Sequence, residues 1–140
     1  MNPKNNRNVK RLFLASVSFV AALMFLPAGG NGQTPQRIQF AKGKSSATVR
    51  GTTGQNGTSF LVRARSGQNL ILTLGPSANI GVKVEKDGRY GHSVLLREER
   101  GGTYEIGLEE SGDYTIFIGS KDGRSRAFTL SVQVTHMTDI

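Results

Sequence analysis

The sequence contains no cysteine and no tryptophan, and it has only two histidines and four prolines among 140 residues. The absence of cysteine excludes a disulfide scaffold, a thiol nucleophile, an iron–sulfur cluster and a thiolate zinc site. Hydrophobic residues make up 36% and charged residues 20% of the chain, which is typical of a globular domain. The length supports at most one compact domain.

The N-terminus has the pattern of an export signal. Residues 2–11 carry four basic side chains and no acid, and residues 12–26 form an uncharged apolar run. This run is shorter than the roughly 20 residues that a membrane-spanning helix needs, and Pro27 with several glycines follows it. We therefore predict a signal peptide over residues 1–32, a linker over 33–36 and a periplasmic or secreted protein with no stable membrane span after processing.

The charge of the remaining chain is modest and scattered. Residues 1–32 contain four of the 18 Lys and Arg residues and none of the ten acids, so removing them lowers the net charge from +8 to +4. The 14 remaining basic residues do not form a block. We expect no nucleic-acid partner for such an exported chain.

Apolar and polar residues alternate repeatedly after residue 36, which is the pattern of half-buried strands. Gly-rich turn segments separate these stretches at spacings of about 8–12 residues. The pattern predicts an all-β fold, an antiparallel β-sandwich or jelly roll of eight or nine short strands over residues 37–136, with a flexible tail at 137–140. The predicted strands cover 37–41, 47–50, 60–65, 70–74, 80–85, 92–96, 104–109, 114–119 and 128–134.

No combination of residues points to catalysis or to a cofactor. Gly91-His92-Ser93 is not a nucleophile elbow, and we interpret His92 and His136 as exposed polar residues. The acidic pairs Glu98–Glu99 and Glu109–Glu110 lie beside turns, where solvated acids are the simpler interpretation. Asp87-Gly88 and Asp122-Gly123 lack the neighbouring acids of a calcium loop and are predicted to form hairpin turns. We expect no enzyme, no metal and no cofactor.

Four segments resemble the periplasmic inhibitors of g-type lysozyme, a branch of the pre-peptidase C-terminal-like sandwich domains. The string RIQFAKGKSSATVRG at 37–51 resembles the opening of this family. Ala64–Gln68 matches its AxxGQ step, Ser111–Tyr114 matches its SGxY step, and Phe128–Val134 is similar to its closing strand. Together these segments span nearly the whole chain after the predicted signal peptide.

The resemblance implies a protein that caps the active-site cleft of a goose-type lysozyme and so protects bacterial peptidoglycan. Such an inhibitor inserts rigid loop groups that hydrogen-bond or charge-pair with the catalytic carboxylate. The candidate loop here is a hairpin at Gly119–Arg126, whose cations would meet acids of the cleft, with the SGxY turn as its neighbour. We expect a monomer. The candidate binding residues are Ser111, Gly112, Tyr114, Ser120, Lys121, Arg124 and Arg126.

The same residues allow a purely structural interpretation. Tyr114 shares a strand face with Ile116 and Ile118, so it is also a candidate core residue whose hydroxyl bonds one backbone group. Ser111-Gly112 can be a simple turn, and the charges of residues 121–126 can form an ordinary solvated loop. An alternative function is a noncatalytic module that binds envelope polysaccharide, such as peptidoglycan, or another envelope protein.

Overall fold

The computed structural model describes residues 34–136 and the backbone of residues 23–25. Ten strands form two five-stranded sheets. Sheet A has the order β1-β3-β10-β5-β8, and sheet B has the order β2-β4-β9-β6-β7. The strands are β1 (Leu23–Phe25), β2 (Gln36–Arg37), β3 (Ser46–Thr52), β4 (Thr58–Ala64), β5 (Gln68–Gly75), β6 (Ile80–Gly88), β7 (Gly91–Glu98), β8 (Gly102–Gly107), β9 (Gly112–Ser120) and β10 (Ala127–His136).

The core lies between the two sheets because every long strand except β7 buries alternate apolar residues. β10 is representative, since Phe128, Leu130, Val132 and Val134 are buried and the residues between them are not. In sheet B, β4, β6 and β9 supply the apolar side chains that pack against this face. The rings of Phe60 and Phe128 meet edge to face at 6.0 Å between centroids and join the two sheets. The predicted all-β antiparallel sandwich is confirmed.

Most strand connections cross from one sheet to the other, and such a connection is a β-arch. Within residues 36–136, only β6 and β7 are consecutive neighbours in one sheet, so their connection is a hairpin. The antiparallel strands place the connections at two ends of the sandwich. One end, which we call the arch end, carries the loops at 53–57, 76–79, 99–101 and 121–126. The other, the turn end, carries those at 38–45, 65–67, 89–90 and 108–111.

Several local predictions need correction. Gln36, predicted to be the last residue of the linker, belongs to β2 and pairs with Phe60 of β4. The predicted strand 37–41 pairs in register with β4 only at Arg37. The β6–β7 turn is Arg89-Tyr90 rather than Asp87-Gly88, because strand pairing continues to Gly88↔Gly91.

The predicted signal peptide and the tail at 137–140 lie outside the described residues, apart from the backbone of residues 23–25, which pairs parallel with β3. They remain predictions. Within the part of the chain that the structure describes, no helix long and apolar enough to span a membrane is present.

The buried face of β10 gives a direct test of the core. Leu130 has no exposed surface, so Leu130→Ala should lower the free energy of unfolding by about 2–5 kcal/mol by leaving a cavity. Gln133→Ala, at an exposed position of the same strand, is the control and should change it by less than about 0.5 kcal/mol. Urea unfolding measures both. Equal losses for the two variants would contradict this core.

Candidate protein-binding site

The predicted binding residues lie at two separate ends of the molecule. Ser111 and Gly112 are at the turn end, where β9 begins, whereas Ser120 ends β9 at the arch end. Lys121, Arg124 and Arg126 follow it there. β9 has nine residues at about 3.3 Å each, so the two groups are roughly 30 Å apart. The SGxY turn is therefore not the neighbour of the 119–126 loop, and the expectation of one combined site is wrong.

The 119–126 loop is a β-arch and not a hairpin. β9 pairs with β4 and β6 in sheet B, while β10 pairs with β3 and β5 in sheet A. Asp122-Gly123 is accordingly part of an arch rather than a hairpin turn. Local turn signals cannot distinguish the two, because both need the same reversal of the chain and differ only in the sheet that the next strand joins. We call residues 121–126 the Asp122 arch.

Asp122 holds this arch together from inside. Its carboxylate accepts hydrogen bonds from Ser120 Oγ at 2.6 Å and from the backbone N–H of Arg124 at 3.1 Å. It also forms an ion pair with the guanidinium of Arg126. These contacts, that to Arg126 first, hold the pKa of Asp122 well below its usual range. Ser120 and Arg126 therefore already have a partner within the arch.

Backbone contacts attach the Asp122 arch to its neighbours. Thr53, which is fully buried, donates its N–H to Arg126 O at 2.8 Å and accepts from Arg126 N–H at its Oγ1 at 3.0 Å. On the other side, Lys121 N–H donates to Asn79 O at 3.0 Å. The arch is thus fixed at both of its bases. Its exposed side chains are presented from a rigid support.

A groove of about 560 Å³ opens between the Asp122 arch and two other connections of the arch end. The cations of Arg97 and Arg100 line it together with Lys121, whose Nζ lies 3.9 Å from Glu99 Oε2. The sequence pattern indicates solvated acids beside a turn at Glu98 and Glu99 and gives the two arginines no role. The feature of the sequence that could have indicated this charged surface is the uninterrupted charged run Arg97–Arg100. The lining residues are Ser77, Ala78, Asn79, Arg97, Glu98, Glu99, Arg100 and Lys121.

Two glycines allow the walls of this groove to approach so closely. A Cβ on Gly101 would lie 2.2 Å from Pro76 O and 2.6 Å from Leu74 O. Gly101 N–H instead donates to Ser77 O at 3.0 Å, which joins the two connections. A Cβ on Gly81 would lie 2.8 Å from Glu98 O. Both contacts are with backbone atoms that side-chain rotation cannot relieve.

A second hollow of about 360 Å³ adjoins the groove on the outer face of sheet B. Gly81 and Gly119 are paired across β6 and β9, so neither strand projects a side chain there. Phe117 forms one wall, and Lys83 Nζ lies 5.3 Å from the centre of its ring. The two depressions share Arg97, Glu98, Glu99 and Lys121, so they form one continuous concave surface.

At the turn end, the matched motif residues have structural partners. Ser111 Oγ accepts the N–H of Ser66 at 2.9 Å, and Gly67 N–H donates to Leu108 O at 2.9 Å. The AxxGQ and SGxY turns are therefore bonded to each other. Gly112 has a φ of 138°, which favours glycine. The alternative interpretation of Ser111-Gly112 as a turn agrees with these contacts.

Tyr114 lies in the core and not on the binding surface. Only 1% of it is exposed, and its hydroxyl donates to Glu110 O. Burial raises the pKa of Tyr114 above its usual value. Because the side chain points between the sheets with Ile116 and Ile118, it is not available to a partner. The structure corrects the assignment of Tyr114 as a binding residue and confirms the alternative of a core tyrosine.

His92 joins two carboxylates on the β6–β7 hairpin. Its Nδ1 lies 2.8 Å from Asp87 Oδ1, and its Nε2 lies 2.7 Å from Glu85 Oε2. Both ring nitrogens must carry protons to donate to both acids, so the charged imidazolium fits this position. The bond to Asp87 and the charges of both acids raise the pKa of His92. Across residues 34–136, no three His, Asp or Glu side chains converge as metal ligands would.

Neither a family model nor a curated protein sequence matches the chain, but solved structures do. The fold is similar to that of PliG from Aeromonas hydrophila, a periplasmic lysozyme inhibitor of g-type lysozyme, at 23% identity and a TM-score of 0.63. That match covers 81% of this chain and 100% of the other. PliG from Salmonella Typhimurium gives 19% identity and a TM-score of 0.55, over 73% of this chain and 100% of the other.

A mutant of PliG from Escherichia coli gives 18% identity and a TM-score of 0.55, over 82% of this chain and all of the other. The resemblance inferred from the four sequence segments is thus confirmed at the level of the fold. This chain shares the sandwich of the PliG structures along their whole length.

The paired carboxylates around His92 predict a pH-dependent contribution to stability. Because the pKa of His92 is raised above 6.5 in the folded state, this contribution is fully present below the unfolded pKa and is lost as the pH rises through the folded value. Asp87→Asn should lower the pKa of His92. An NMR titration of the imidazole measures it. The control Asp122→Asn, at the other end of the molecule, should leave it unchanged, and an unchanged value in Asp87→Asn would contradict the contact.

Proposed function

We propose that this chain is an exported, noncatalytic inhibitor of a g-type lysozyme that protects peptidoglycan in the periplasm or outside the cell. The observation that carries the proposal is the match to three PliG structures, each along its full length. Since 18–23% identity shows the fold alone, the target enzyme and the mode of binding are inferred from the sequence motifs and the geometry of the arch end.

The Asp122 arch suits a binding role because it is already ordered. Its carboxylate and its contacts to Thr53 and Asn79 fix the backbone before any partner arrives. An ordered loop loses little conformational entropy on binding, which favours affinity. The groove beside it is continuous with the arch through Lys121.

Arg124 is the residue of the arch best placed to meet a carboxylate of the lysozyme cleft. It is exposed, and its guanidinium has no ion pair or hydrogen bond among residues 34–136. A bidentate bond from this group to a catalytic carboxylate would be charge-assisted. Lys121 can add a second cation by leaving its 3.9 Å contact with Glu99. Arg126 shapes the arch through Asp122 rather than reaching outward.

The first test is a panel of goose-type, chicken-type and invertebrate-type lysozymes titrated with the purified protein. We expect micromolar or tighter inhibition of the goose-type enzyme and weaker or no inhibition of the other two. Pull-down on peptidoglycan without lysozyme should recover little protein. Failure to inhibit the goose-type enzyme at micromolar inhibitor would overturn the proposal, and strong peptidoglycan binding would favour the polysaccharide-binding alternative.

The second test replaces the two outward cations, Lys121 and Arg124, together by Ala and leaves Arg126 in place because its ion pair with Asp122 supports the arch. We expect inhibition to weaken about tenfold or more, since the cations facing the cleft are lost. The midpoint of thermal unfolding should fall by less than about 3 °C, because exposed charges add little to stability.

The matched control replaces two exposed cations of the turn end, Lys42 and Lys44, by Ala. Both variants lose the same charge, so they share any long-range electrostatic effect and differ only in position. If the arch variant keeps its potency and the control loses it, the lysozyme contacts the turn end. That result would contradict the role of the arch.

A further inference from the structure

The large hydrophobic side chains that the described part of the chain exposes all belong to one hairpin. Tyr90 is 95% exposed at its tip, and Val94 and Leu95 on β7 are 46% and 39% exposed. Tyr90 does not pack against any part of the core. Exposed apolar side chains that gather in one place mark interaction surfaces more often than isolated ones do.

β7 is also the edge strand of sheet B, where it pairs with β6 alone. Leu95 has no partner on β6, since the register shifts between Val84↔Leu96 and Glu85↔Val94. This bulge interrupts the regular backbone edge that an added strand would need. A partner is therefore expected to bind the side chains of β7 rather than extend the sheet.

The tip is held in a fixed conformation. The turn has only two residues, Arg89 and Tyr90, and Gly91 after it adopts a φ of 115°. Arg89 N–H donates to Glu110 Oε1 at 3.3 Å, and His92 is bonded to both Asp87 and Glu85. Tyrosine and arginine on a preorganised loop are the residues that most often dominate binding energy.

We call Tyr90, Val94 and Leu95 the hydrophobic stripe; they lie on the hairpin whose strand β7 leads to the groove of the arch end. β7 runs from Gly91 at the turn end to Glu98, and Arg97 and Glu98 line the groove together with Lys121. Eight residues at about 3.3 Å each give a surface roughly 26 Å long. This length matches the width of a protein interface that buries about 800 Å² on each partner.

We propose that the lysozyme binds along the whole of β7, with Tyr90, Val94 and Leu95 as apolar anchors and the groove as the charged end of the same interface. This inference rests on the proposed function and adds to it the surface that the enzyme covers. The arch end alone exposes no large hydrophobic side chain among the described residues. The stripe supplies the apolar contact that a protein interface needs beside its charged groups.

The experiment compares the wild-type protein with Tyr90→Ala and with the double variant Val94→Ser/Leu95→Ser. We expect each to weaken inhibition of the goose-type lysozyme about tenfold or more, mainly through faster dissociation. Tyr90 contacts no core residue, so its variant should unfold at the wild-type temperature. The matched control is Ile71→Ser, a half-buried apolar position on the outer face of sheet A, which should keep wild-type potency.

Hydrogen exchange of the wild-type protein with and without lysozyme gives an independent readout. Protection of amides at residues 89–98 on complex formation is expected. If the wild-type protein inhibits but the variants keep full potency and these amides stay unprotected, the β7 surface is wrong while the inhibitor function stands. If the wild-type protein neither inhibits nor binds the enzyme, the proposed function fails and this surface assignment fails with it.

Discussion

The structure depends on the burial of one apolar face of each sheet against the other. Leu130 and Ile116 are typical, since each is fully buried on a strand whose neighbouring residues are half exposed. Every strand after β2 except β7 places alternate side chains in this buried layer. The side chains of the connections are not constrained by the core in this way. The proposed binding surfaces consist of connections and of β7, from which only the half-buried Leu96 packs against the core.

The crossing of the chain between sheets decides which connections come together. Three arches that are far apart in sequence, at 76–79, 99–101 and 121–126, meet at one end and enclose the groove. The absence of a side chain at Gly81 and Gly101 allows this close approach, and the bond from Gly101 N–H to Ser77 O joins two of the arches. The hairpin of β6 and β7 departs from this pattern because it stays within sheet B. It therefore projects its turn residue Tyr90 into solvent instead of folding it over the core.

Charge at the arch end is divided between internal and external use. Asp122 accepts a hydrogen bond from Ser120 and forms an ion pair with Arg126. Arg124 remains exposed beside them. A cluster of basic residues in sequence is thus not equivalent to a cluster of available cations. The distinction bears on any inhibitor whose partner is recognised through local contacts rather than through the net charge of the whole molecule.

Alternation of apolar residues was sufficient to predict the sandwich and most of its strands. Successive side chains of a strand point to opposite faces, so a strand with one buried face shows apolar residues at every second position. The motifs at Ala64–Gln68 and Ser111–Tyr114 were sufficient to indicate the family whose fold this is. Only the tertiary structure decided that Tyr114 is a core residue, that Ser111 and Lys121 lie at opposite ends, and that Arg97 joins Lys121 in a groove. Each of these depends on which sheet a strand enters, and long-range pairing of this kind leaves no trace in the local sequence.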